Sequence, residues 1–165
     1  MDLFPHSLAA QAQLLAQVCR ERQLRVVTAE SCTGGLVAGC LTEIAGVSDV
    51  FVGGFVTYAN EAKMRDLSVP EELLKMHGAV SAEVARAMAE GACKRSGAEL
   101  GISATGIAGP GGGTPQKPVG LVHIAVARRG HETLHERHVF PGDRQAVRLA
   151  AVEAALALAL RAATS

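Results

Sequence analysis

The sequence predicts an α/β domain, a three-layer α/β/α sandwich around a mixed β-sheet. Helical patterns stand before, between and after short runs rich in valine and isoleucine, which places helices on both faces of a sheet. The last two strand patterns adjoin across Arg129 and Gly130 as a hairpin, so the sheet cannot be wholly parallel. The chain has 165 residues, 48% of them apolar, with no linker-like boundary and no internal repeat. One domain over residues 1–165 with one substantial core follows.

Ser7 to Glu21 reads as an amphipathic helix, because Leu8, Ala12, Leu15, Val18 and Cys19 recur on one face. Leu24 to Ala29 is a short buried strand. "LVAGCLTEIAG" then reads as a helix, with Gly46 as its C-cap. Val50 to Ala59 is a second strand whose internal glycines point to a bulge or a close backbone approach. "NEAKMRDL" is a short helix with Asn60 as N-cap, and Pro70 opens another, "PEELLKMH". "SAEVARAMAEGACKRSG" carries every helix signal: Ser81 as N-cap, acid early, Lys94 and Arg95 late, and Gly97 beyond. "AELGISAT" is a third strand, followed by a loop dense in glycine and proline from Gly106 to Pro118. The hairpin "VGLVHIAVAR" and "HETLHERHVF" comes next, and a long helix starts near Asp143. That helix is apolar around much of its circumference, so either the core covers it or a second subunit does. A homodimer is expected on this ground.

Composition narrows the class of function. Sixteen basic and sixteen acidic side chains give zero formal charge, and Trp is absent. These argue against a broad electrostatic grip on nucleic acid or an anionic membrane, and against base-stacking platforms. Cys19, Cys32, Cys40 and Cys93 form no CxxC pair and no zinc pattern, as expected of free thiols in a reducing compartment. The first residues lack a secretory leader pattern, and the most apolar segment is interrupted by Glu153 and Arg161. A cytoplasmic protein is expected.

Two predicted strands end in glycine-rich turns, "AESCTGG" and "ATGIAGPGGG". Ligands of open α/β sheets bind at the carboxyl ends of strands, so both turns are expected to open onto one crevice. Ser31 or Thr33 is either a helix cap or a reacting group. Gly34 and Gly35 each cost about 1 kcal/mol inside a helix, and their presence in the first turn suggests N–H groups cleared for an anion or oxyanion. Cys32 is a rival nucleophile at the same helix start. The surroundings of Ser31 fit neither GxSxG nor SxxK. The second turn fits neither a Walker A motif nor a dinucleotide fingerprint, leaving a loop able to wrap an anion with backbone N–H groups.

A third signal is "TYANEAK". Lys63 stands where a capping box would put an acid, near the positive end of a helix dipole. That field and partial burial both favour the neutral amine, a competent general base for a serine hydroxyl; a solvated lysine is the alternative. Tyr58, the one tyrosine, lies on the same segment. On a strand, His131 and His135 share one face and His138 takes the other, most simply as a solvated edge. Arg144 and Arg148, one turn apart, suit phosphate or surface carboxylates.

With "TAESCTGGLVA", "GGFVTYANEAK", "HGAVSAEVARAMAEGA", "ATGIAGPGGGTPQKPVGLVHIAV" and "FPGDRQAVR" in view, the chain resembles the CinA C-terminal domain family, the nicotinamide-nucleotide amidases. The resemblance implies a three-layer α/β/α fold and hydrolysis of the carboxamide of nicotinamide mononucleotide, without metal or other cofactor. It also implies a serine–lysine arrangement, matched by Ser31 and Lys63, with Tyr58 nearby as a third catalytic candidate. The expected substrate-binding set is Glu30, Cys32, Thr33, Gly34 and Gly35 from the first turn, Thr105, Gly106, Gly109, Gly111 and Gly112 from the second, and Arg144. An inactive nucleotide-binding or assembly module of the same fold is the alternative.

Overall fold

The computed structural model describes all 165 residues. In chain order the elements are α1 (His6–Glu21), β1 (Val26–Glu30), α2 (Leu36–Thr42), a 3-10 turn (Val47–Asp49), β2 (Phe51–Val56), α3 (Asn60–Leu67), α4 (Glu71–His77), α5 (Ala82–Ser96), β3 (Leu100–Gly106), β4 (Leu121–Arg128), β5 (Leu134–Val139) and α6 (Arg144–Thr164). The five strands form one sheet in the order β2-β1-β3-β4-β5. β1 pairs in parallel with β2 and β3, while β4 runs antiparallel to both β3 and β5. The sheet is therefore mixed, with α1, α2 and α6 on one face and α3, α4 and α5 on the other.

Alternation along the strands assigns the two faces. Val26, Leu100, Ile102, Ala104, Val122, Ile124 and Val126 join the larger core beneath α1, α2 and α6. Val27 and Ala29 join the smaller core under α3, α4 and α5, while Ala125 and Ala127 pack with Ala85 and Ala89 of α5. The α5 face is built from small residues, and this sets its spacing. A Cβ on Gly101 would stand 2.5 Å from the carbonyl oxygen of Ala89, so the missing side chain is what lets α5 lie against β3.

Several helix boundaries follow from caps. Ser81 accepts from the N–H of Val84, and Gly97 takes the left-handed conformation at the other end of α5. Asp143 accepts from Ala146 N–H at the start of α6. Others differ from the sequence expectation. α2 stops at Thr42, four residues before Gly46, which instead turns the chain into the 3-10 segment. Ala59 occupies the N-cap of α3, and Asn60 is its first helical residue with no capping bond from its side chain. His131 lies in the hairpin turn outside β5, so it shares no strand face with His135.

The apolar circumference of α6 is covered from within. Val147, Ala151, Val152, Ala155, Leu156, Leu158, Ala159, Ala162 and Ala163 are all buried against α1, α2 and the sheet. The composition of this helix thus gives no ground for a second subunit. No helix is long and apolar enough to cross a membrane.

Candidate active site

The turn after β1 is where the sheet's alternation does chemical work. Glu30 and Ser31 are consecutive and point to opposite faces. Glu30 is turned toward α2, where its two carboxylate oxygens accept from Val37 and Ala38 N–H at 2.9 and 3.0 Å. It is 1% exposed and acts as an anion placed at the unpaired N–H groups of a helix start. Its expected place in the substrate-binding set is not where its carboxylate lies. Ser31 is turned the other way, toward α3.

Between them and α2, the chain needs glycine. Gly34 and Gly35 have φ of +57° and +102°, conformations that L side chains rarely adopt. The glycines thus make a left-handed turn that brings the chain from strand to helix, in addition to leaving N–H groups open. Gly34 N–H is taken by the Ser31 carbonyl. The N–H groups of Thr33 and Gly35 donate to no acceptor in the chain. Arg148, reaching from α6, donates to the carbonyls of Cys32 and Thr33 at 3.0 and 3.3 Å. In a planar trans peptide the C=O and N–H point in opposite directions, so holding the Cys32 carbonyl aims the Thr33 N–H away from Arg148. Sequence reasoning assigned Arg148 only a general anion-binding or ion-pairing role; its separation of 116 residues from Cys32 hides this contact.

Lys63, in the first turn of α3, is fully buried. Its side-chain nitrogen Nζ lies 3.0 Å from Ser31 Oγ, 2.7 Å from the Thr57 carbonyl oxygen and 3.1 Å from that of Tyr58. Burial pushes its pKa down from 10.5 to about 8. The cause is desolvation of the charged form, the burial that the sequence reading set beside the helix field. The two carbonyls can only accept. A neutral amine therefore gives its two hydrogens to them and turns its lone pair to the third neighbour, Ser31. In that state the serine hydroxyl donates to the amine, which is the geometry for removing its proton. Thr57, which has no sequence signal, is needed for this arrangement through its backbone alone.

A cleft of about 190 Å³ opens at this pair, lined by Ser31, Cys32, Tyr58, Lys63, Ala79, Val80, Thr105, Gly106, Ala108 and Arg144. Both glycine-rich turns meet there, at the carboxyl ends of β1 and β3. Tyr58 is 65% exposed at the rim, with its hydroxyl 3.5 Å from Arg144 Nη2. Arg144 also donates to the Gly109 carbonyl at 2.9 Å, tying α6 to the second turn. Thr105 lines the cleft but spends its hydroxyl on the Ala79 carbonyl. Gly109 takes φ +84° and its Cβ position is filled by Val119, so it shapes the loop. Gly111 and Gly112 are exposed and lie outside the cleft lining. Thr33 is fully buried and also outside that lining.

Cys32 lines the cleft, but burial pushes its thiol up to about 11. That keeps the sulfur protonated, contrary to what a nucleophilic cysteine needs. A larger recess of about 410 Å³ lies at the other end of the sheet, among Glu90, Cys93, Lys94 and Arg129. Burial holds its one thiol, Cys93, at about 11 as well, so it pairs no activated nucleophile with a base. Among the histidines, His123 and His135 share a hydrogen bond of 2.8 Å, and His138 bonds Glu136 and stacks on Phe140.

The sequence model of the CinA C-terminal domain matches residues 8–163. A putative competence-damage inducible protein of Symbiobacterium thermophilum is 53% identical over 157 residues, covering 90% of this chain and 37% of that protein. A CinA-like protein of Akkermansia muciniphila is 53% identical over 144 residues, covering 86% of this chain and 35% of that protein. The chain thus spans about a third of the length of these curated relatives. Among solved structures, the competence/damage inducible protein CihA from Agrobacterium tumefaciens superposes with a TM-score of 0.96 at 48% identity, over 100% of both chains. A CinA superfamily protein from Escherichia coli gives 0.90 at 35% identity, over 99% of this chain and 95% of that one.

Proposed function

The chain belongs to the CinA C-terminal domain family, and from this premise we propose that it is an amidohydrolase converting nicotinamide mononucleotide to nicotinate mononucleotide and ammonia. The observation that carries the proposal is the 3.0 Å approach of Lys63 Nζ to Ser31 Oγ inside a buried cleft.

Ser31 attacks the carboxamide carbon as neutral Lys63 takes its proton. The carbonyl oxygen, now carrying the charge, is met by the backbone N–H of Cys32, which lines the cleft and donates to no acceptor in the chain. Losing one such donor typically raises a barrier by about 3 kcal/mol. Lys63, now an ammonium held by Thr57 and Tyr58, returns the proton to the departing nitrogen, which leaves as ammonia. Water then attacks the acyl–serine ester with Lys63 again as base, releasing the carboxylate and restoring Ser31. The cleft, at about 190 Å³, is below the usual size of a whole-ligand pocket. It suits the carboxamide end of the nucleotide, with the remainder running out of the cleft.

Ammonia release from nicotinamide mononucleotide by the purified chain tests the proposal. Turnover lost on Ser31→Ala is the expected result. Stabilisation of the fold by the nucleotide without ammonia would instead mark a nucleotide-binding module, and full turnover by the Ser31→Ala protein would remove the serine from the mechanism.

A further inference from the structure

Next to the cleft is a second recess of about 310 Å³ that the chemistry above leaves unused. The two adjoin along residues 79–81, and Val80 lines both. Its floor is the start of α5. Ala82 and Glu83 stand in the first turn of this 15-residue helix, and their N–H groups have no acceptor in the chain. Three side chains surround that helix start. Lys117 arrives from the second glycine-rich loop and donates to the His77 carbonyl. Arg137, on edge strand β5, is exposed and makes no hydrogen bond or ion pair. His123, on β4, is only 7% exposed; its Nδ1 is engaged with His135, and its Nε2 has no partner. Burial, then His135, Arg137 and Lys117, hold His123 down at about 4, so at neutral pH it offers at most one N–H. One acid, Glu83, also lines the recess, with Oε2 3.7 Å from His77 Nδ1.

An open helix N-terminus, two cations against one carboxylate, and the unengaged Nε2 of a nine-tenths-buried histidine form a site for a compact anion. We propose that this recess holds the phosphate monoester of the nucleotide whose carboxamide reacts at Ser31, through Arg137, Lys117, His123 and the N–H groups of Ala82 and Glu83. The proposal rests on the amidase reading for the identity of the ligand, but not for the presence of an anion site. It moves the phosphate away from Arg144 and from Gly111 and Gly112, to the other wall of the cleft. A phosphate carrying nearly two charges outweighs Glu83, and the wall shared at Val80 makes the two recesses neighbours for one mononucleotide.

The test uses the whole chain and two substitutions of opposite sign. Arg137→Gln removes a cation that holds nothing else; Glu83→Gln removes the one anion. Inorganic phosphate, read by thermal shift in the absence of any substrate, is expected to bind the Arg137→Gln protein about tenfold more weakly than the parent, and the Glu83→Gln protein more tightly. In turnover, the parent's preference for nicotinamide mononucleotide over nicotinamide riboside, as a ratio of kcat/KM, is expected to fall about tenfold in Arg137→Gln. Inorganic phosphate should compete with the mononucleotide. Equal phosphate binding by all three proteins would overturn the anion site. Phosphate binding altered as expected but non-competitive, or an unchanged substrate ratio, would overturn its assignment to the substrate. Absence of ammonia from either compound would defeat the amidase reading and leave the phosphate-binding result standing by itself.

Discussion

Replacing Lys63 by methionine separates the chemistry of the amine from its cost to the fold. Methionine fills nearly the same volume, so no cavity term enters. In the parent, burial lowers the Lys63 pKa from 10.5 to about 8. The folded chain therefore binds this proton less readily than the unfolded one. Stability from this group is greatest above the unfolded value of 10.5, is lost as pH falls toward about 8, and is flat below that. At 1.36 kcal/mol per pH unit the loss amounts to roughly 3 kcal/mol. The replacement side chain carries no proton and escapes this cost, but it leaves the carbonyls of Thr57 and Tyr58 unpaired, at about 1–3 kcal/mol each. These effects oppose each other at pH 7, where the two proteins are expected to have stabilities within about 3 kcal/mol. Between pH 8 and pH 10 the parent gains on the variant, because only the parent has the titrating group. Urea unfolding of both proteins at several pH values measures the difference, and every other titration cancels in it. Ammonia release at the same pH values measures the chemistry, which is expected to fall at least about 100-fold in the variant. A stability difference that stays constant from pH 7 to pH 10 would show that Lys63 is not a depressed, buried amine. Turnover by the variant within a few-fold of the parent would show that it is not the base.

Four further outcomes follow from the same geometry. The parent's kcat/KM is expected to rise with pH through a midpoint near 8, as the buried Lys63 loses its proton, and a profile flat from pH 6 to pH 9 would contradict this. Cys32→Ala should keep most of the turnover and resist thiol alkylation, because its thiol, held near 11, is not the attacking group; an alkylation-sensitive parent would revive the cysteine reading. Glu30→Gln supplies one acceptor oxygen where the start of α2 uses two, and should destabilise by about 1–3 kcal/mol in denaturant melts while disturbing the Ser31 turn; unchanged stability would refute the capping role. Gly91→Ala sets helix propensity, worth about 1 kcal/mol in its favour, against collision of the new methyl with the Leu67 carbonyl, and thermal melts should show net destabilisation, since backbone cannot give way as a flexible side chain would.

The parts of this protein that were legible in its sequence are those governed by neighbours a few residues apart. Periodicity placed the helices and strands, Ser81 and Gly97 marked the ends of α5, and Arg129 with Gly130 marked the hairpin. Adjacent signals failed where a local rule had a competitor. Gly46 reads as a helix end, yet α2 stops at Thr42. Asn60 reads as a cap, yet Ala59 holds that place. The apolar circumference of α6 told that it would be covered but not by what, since burial inside one core and burial between two copies leave the same composition.

The sequence by itself determined which side chains were available for chemistry: a serine and two glycines after one strand, and a lysine in the first turn of a short helix. Only the tertiary structure decided what they meet. Parallel pairing of β1 with β2 brings Thr57 beside Glu30, so α3 starts next to the turn that holds Ser31. The pleat then sends Glu30 to α2 and Ser31 to Lys63. Burial lowers the pKa of that lysine to about 8, and α6 delivers Arg148 from 116 residues away. Those are long-range facts: distance in space, and removal of water, have no counterpart in the spacing of letters along a chain.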